Sequence, residues 1–122
     1  MIGVNSSEWR GVIVQQMQEA GTYRLAFASV IDALAQLLEQ RDAVYDLYVA
    51  DGARPMVERV SDRGAVNSSV NPLLRAWREL SEDALAYWRD LGLTPAGLKR
   101  IDEKAMKQKK ISAMEKALSG FG

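Results

Sequence analysis

Hydrophobic residues recur at helical spacing along most of the chain. In the first segment Trp9, Val12, Ile13 and Met17 fall on one face, the period of an amphipathic helix. Asn5 and Glu8 have the spacing of a capping box at its start, with Ser6 and Ser7 as alternative caps. Gly21 suits the residue just past its end, where a left-handed backbone is common.

A second, longer helix is predicted from Thr22 to Ala50. Its stripe is Phe27, Val30, Ile31, Leu34, Leu37, Leu38, Val44, Tyr45 and Tyr48. Phe27, Leu34, Arg41 and Tyr48 lie seven apart, with Val30, Leu37 and Val44 between them, which is a heptad-like seam. Asp51-Gly52 closes it, and Arg54-Pro55 breaks helix geometry.

The period then changes. Met56–Val60, the turn Ser61-Asp62-Arg63-Gly64 and Ala65-Val66-Asn67 predict a small β-hairpin. A lone hairpin is marginal in water, so it should lean on a helix or on a neighbouring subunit.

Asn71 and Pro72 predict the next helix start, as N-cap and first helical residue. Leu73, Trp77, Leu80, Ala84, Trp88 and Leu91 form one stripe, and Gly92-Leu93 suits a Schellman ending. Thr94-Pro95 caps a fourth helix whose apolar face continues through Leu98 and Ile101. Beyond Lys104 the pattern thins among charges, and 104–122 reads as a tail that orders against a partner.

The fold class expected is mainly α. A long helical hairpin of helices 2 and 3 carries short flanking helices and a small β-hairpin between the long helices. The expected organisation is a helical oligomerisation domain over 1–103 and a basic C-terminal tail over 104–122.

A second helix of about 29 residues would be roughly 43 Å long, against roughly 35 Å for a compact globule of this chain length. Leaving four large apolar side chains bare would forgo roughly 6–12 kcal/mol, which rivals a domain's whole stability. Subunit contacts are the simplest cover; helix 1 and the tail of the same copy are the alternative.

Composition narrows the function. The sequence has no Cys and no His, which removes disulfides, thiolate metal sites and the usual neutral-pH general base. A phosphate-binding Gly-rich loop ending in Lys-Ser/Thr is also missing. An enzyme is therefore not expected, and no cofactor is assigned. The acid pairs Glu82-Asp83 and Asp102-Glu103 have no accompanying constellation, and no metal is assigned. No apolar run is long enough for a membrane span, and Met1–Asn5 lacks signal-peptide character.

Net charge is zero but divided. Residues 1–98 hold nine arginines against 13 acids, a net −4, and residues 99–122 a net +4 with every lysine of the chain. That split suggests an acidic body with a basic arm.

Taken in order, these landmarks resemble the small subunit of tailed-phage terminases. The likeness covers about residues 8–103. Its most specific part is Asn71-Pro72-Leu73-Leu74, a helix, then Leu91-Gly92-Leu93-Thr94-Pro95 with small residues and Arg100 after it. Residues Glu8–Gly21, Tyr23–Asp51 and Met56–Asn67 match the family's short Trp-bearing helix, long helix and Gly-containing hairpin. The resemblance implies viral genome packaging in the cytoplasm of the infected bacterial host. Small subunits of this family form rings, engage double-stranded viral DNA and modulate the large subunit, which carries the ATPase and nuclease. Many also carry an N-terminal helix-turn-helix, for which the stretch ahead of the long helix is too short.

The candidate DNA-binding residues are Lys99, Arg100, Lys104, Lys107, Lys109 and Lys110, because phosphate contacts need positive charge and no particular base; a solvated lysine-rich tail is the alternative. Arg54, Arg59 and Arg63 on the hairpin could meet phosphates, pair with the next subunit, or stay solvated. The candidate oligomer interface comprises Phe27, Leu34, Arg41, Tyr48, Trp77 and Trp88. Trp77 and Trp88 serve equally as core anchors, and Arg41 could pair with Asp42, Asp46 or a neighbour's carboxylate, or snorkel to water. Leu118 and Phe121 are the candidate large-subunit contacts, against a frayed terminus. Two rival functions remain: a helical DNA-binding transcriptional regulator, and a helical assembly module without DNA contact.

Overall fold

A computed structural model describes residues 4–120, in the order α1 (Ser6–Ala20), α2 (Ala28–Ala50), β1 (Met56–Val60), β2 (Val66–Val70), α3 (Pro72–Asp90) and α4 (Pro95–Ser119). It is mainly helical, with α2 and α3 packed as a helical hairpin and a two-stranded antiparallel β-hairpin between them, as the sequence pattern predicts. Helix starts follow local chemistry. The side chains of Asn5, Asn71 and Thr94 accept the backbone N–H of Glu8, Leu73 and Gly97 respectively, each satisfying a donor the helix leaves free. Gly21 and Gly92 take positive φ at the ends of α1 and α3, and Thr22 and Leu93 donate back to Met17 and Trp88 to close Schellman endings.

The second helix is shorter than its hydrophobic pattern predicts. It begins at Ala28 rather than Thr22, after an extended Arg24 and a 3-10 turn over Leu25–Phe27. The cause is tertiary: Thr22 is buried, with its side chain against the backbone of Gly92 at the far end of α3. Its 23 residues span roughly 35 Å, so α2 does not outrun the globule. The element that does is α4, with 25 residues and a length of roughly 38 Å. The sequence pattern predicts a tail that orders only on a partner; the isolated chain instead continues as helix to Ser119. The C-terminal flanking helix is therefore long, not short.

Ile13, Met17, Ile31, Leu34, Ala35, Leu38, Ala84 and Leu91 form one core. It lies where α1 crosses α2 and where α2 and α3 run antiparallel, with Tyr45 late in α2 against Trp77 early in α3, ring centroids 5.8 Å apart. Polar contacts pin α1 to α2. The Trp9 indole donates to Asp42 at 2.7 Å, Arg41 stands over the Trp9 ring at 5.7 Å, and Arg10 pairs with Asp32.

Asn71 does two jobs. While its oxygen caps α3, its Nδ2 donates to the Arg54 carbonyl at 2.9 Å and its backbone N–H to that of Pro55. The group is buried and ties the base of the β-hairpin to α3. Asn71→Ala should lower stability by about 1–3 kcal/mol, combining a lost cap with an orphaned carbonyl. Urea unfolding followed by circular dichroism measures it.

Candidate functional site

The cationic candidates all lie on α4. Lys99, Arg100, Lys104, Lys107, Lys109 and Lys110 are exposed, and among the described residues no ion pair involves any of them. Helical geometry puts Arg100, Lys104 and Lys107 on one side, Lys99 and Lys110 on a second, and Lys109 with Lys116 on a third. The result is a rod charged around its circumference, not a single basic face. Such a rod can contact phosphates from several directions and carries no base-reading array.

What aims the rod is the α3–α4 corner. Leu91 and Gly92 are buried there. A Cβ on Gly92 would stand 2.6 Å from Ile101 Cδ1 and 2.9 Å from Thr22 Cγ2. One on Gly97 would fall 2.9 Å from the Arg89 carbonyl carbon and closer still to its oxygen. The first turn of α4 thus sits directly on the last turn of α3, because two glycines leave the space. Sequence reading notes small residues after Pro95 without assigning Gly97 this role; a glycine two residues after a Thr-Pro cap, inside a predicted helix, was the available signal. From Asp102 onward every described residue of α4 is exposed.

The candidate interface residues divide. Leu34 is 0% and Tyr48 7% exposed, so both belong to the core of the single copy and present nothing to a partner. Arg41 is half-buried and engaged inside the chain, 3.4 Å from Asp42 and over Trp9. Trp77 and Trp88 are half-buried, and Phe27 is exposed at the start of α2. Of the large-subunit candidates, Leu118 is 69% exposed, and Phe121 lies outside the described residues.

A further apolar surface belongs to the hairpin. Met56 pairs with Val70 and Val60 with Val66 across the two strands. These pairs share a face with Glu58 and Ser68, since alternate residues point the same way. Met56, Val60 and Val66 are all exposed and Val70 is half-buried, so most of this face is bare in the single copy. The second strand runs to Val70, beyond the predicted Asn67, because five residue pairs match between the strands. Of the hairpin arginines, Arg54 lies 3.8 Å from Asp51, while Arg59 and Arg63 are exposed.

Nothing among the described residues gathers three or more metal-ligating side chains, and no described helix is long and apolar enough to cross a membrane. No curated protein and no solved structure matches the chain. A family model described as phage terminase, small subunit, matches residues 6–110. That span takes in α1, the α2–α3 pair with its hairpin, the two-glycine corner and the cationic stretch of α4. The family supports a role in phage DNA packaging, and this chain belongs to the phage terminase small subunits.

Proposed function

We propose that the protein is a non-catalytic adaptor of viral DNA packaging, working in the cytoplasm of the infected bacterial host. It assembles with its own copies as a ring, engages double-stranded viral DNA through α4, and engages the terminase large subunit through the end of that helix, where Leu118 is exposed. The observation that carries this reading is α4 itself, a cationic helix whose six candidate side chains have no ion-pair partner among the described residues. Assembly is supported by the bare hairpin face. Each of Met56, Val60 and Val66 would gain up to roughly 1.5–3 kcal/mol on full burial, and a two-stranded hairpin needs such support. Phe27, Trp77 and Trp88 remain available to the interface; Leu34 and Tyr48 do not.

One arm binds DNA weakly, with a dissociation constant on the order of 10⁻⁴ to 10⁻⁶ M, and several arms on one ring gain by multivalency. Replacing Lys104, Lys107, Lys109 and Lys110 together by glutamine keeps helix-forming residues in place. An electrophoretic shift at graded salt should show weaker binding and a salt dependence shallower by up to about 3.6 logarithmic units per decade, near 0.9 for each lost phosphate contact. Affinity and slope equal to the parent protein would overturn DNA engagement by α4 and leave an assembly module.

A further inference from the structure

The far half of α4 has no cover in the single copy. Ile111, Met114 and Leu118 share one face and are 41%, 64% and 69% exposed. A helical stretch of this length standing alone is marginal in water, so its apolar stripe needs an occupant. The family match ends at residue 110, immediately before the stripe begins.

The stripe continues a longer line. Arg100, Lys104, Lys107, Ile111, Met114 and Leu118 alternate spacings of four and three, the rhythm of a coiled-coil seam. Lys104, Ile111 and Leu118 take one seam position and Lys107 and Met114 the other. Lys110 and Glu115 then flank the seam on opposite sides. In a parallel, in-register pair these flanking positions face each other across the interface, five residues apart in number. In such a pair Lys110 would meet Glu115 of the partner subunit, each copy supplying both members.

We propose that the Ile111–Leu118 faces of neighbouring copies converge in parallel about their common axis, and that anions govern how tightly they close. The inference rests on the ring reading, since copies arranged about an axis send their α4 helices in the same direction and at high local concentration. Upstream on the same line, Lys104 and Lys107 of adjacent copies converge. Like charges there oppose closure until phosphates neutralise them. Because coupling of this kind is reciprocal, DNA that binds the lysines tightens the seam, and a closed seam raises affinity for DNA. Closing the seam covers Leu118, so the seam and the large subunit compete for that side chain.

The chain's lack of cysteine makes the test clean. In the full-length protein, Met114→Cys puts a thiol on the seam, and Met106→Cys puts one on α4 away from it. Under mild oxidation Met114→Cys should yield about tenfold or more disulfide-linked pairs than Met106→Cys, because seam contact raises the effective concentration of the two thiols. Adding short double-stranded DNA should increase the linked fraction further, and Lys104→Gln with Lys107→Gln should raise it without DNA. An assembled oligomer whose Met114→Cys form does not link, or links no more than Met106→Cys, overturns the parallel seam and leaves the stripe to the large subunit. Linking that ignores both DNA and the lysine substitutions overturns the anion control. A monomer in solution overturns the seam together with the ring.

Discussion

Leu34→Ala is expected to lower the stability of each copy by about 2–5 kcal/mol, the usual range for truncating a leucine in a packed core. The heptad-like pattern of α2 places Leu34 on a seam between copies, whereas its side chain is fully buried among Ile13, Met17, Ile31 and Leu38. Surrounding structure relaxes only partly around such a truncation, so part of the cavity persists. In thermal unfolding the drop is on the order of 10 °C for a chain of this size. Protein concentration separates the two placements. A core residue shifts the unfolding midpoint by the same amount at low and high concentration, while an interface residue shifts it more where assembly is complete. A difference that grows with concentration would return Leu34 to the interface.

Gly97→Ala should destabilise the α3–α4 corner. The added carbon lies within van der Waals overlap of the Arg89 backbone, and backbone cannot rotate aside as a side chain can. Overpacking of this kind costs about 1–3 kcal/mol, released here by lifting α4 off the last turn of α3. Hydrogen exchange should report the lift as lost protection across Leu93–Ile101. Gly11→Ala is the control: it sits inside α1 with nothing within 4 Å of the new carbon. There the same methyl should stabilise by roughly 0.5–1 kcal/mol, through helix propensity and a less flexible unfolded chain. Equal effects at the two glycines would mean that the corner is not close-packed.

The sequence is most legible where the chemistry is local. Asn5, Asn71 and Thr94 cap the helices they precede because each bond spans two or three residues, and Gly21 and Gly92 end theirs for reasons internal to one turn. Legibility fails where a distant residue decides. The start of α2 depends on Thr22 reaching Gly92, a contact across most of the chain. An apolar stripe also reveals a face without revealing what covers it, which is why Leu34 and Tyr48 look like interface residues and are core. For α4 the usable signal was propensity, not periodicity. Residues 98–118 contain no glycine or proline and are rich in Lys, Ala, Met, Leu and Glu, all strong helix formers. The six cations of the candidate site were visible as a run; that they surround a free rod depends on the two-glycine corner.

The projection of α4 has an electrical consequence. It spreads a +4 stretch away from a −4 body along a rod of roughly 38 Å, whose far end lies several Debye lengths out, at about 8 Å each at physiological ionic strength. Each neutral molecule is thereby a large dipole whose two poles act separately on their surroundings. On the proposed reading, a duplex engaged by the outer part of the rod lies beyond the screened reach of the acidic body. Thinning the salt lets the poles of different molecules find each other, and neutrality then gives no protection against end-to-end stacking.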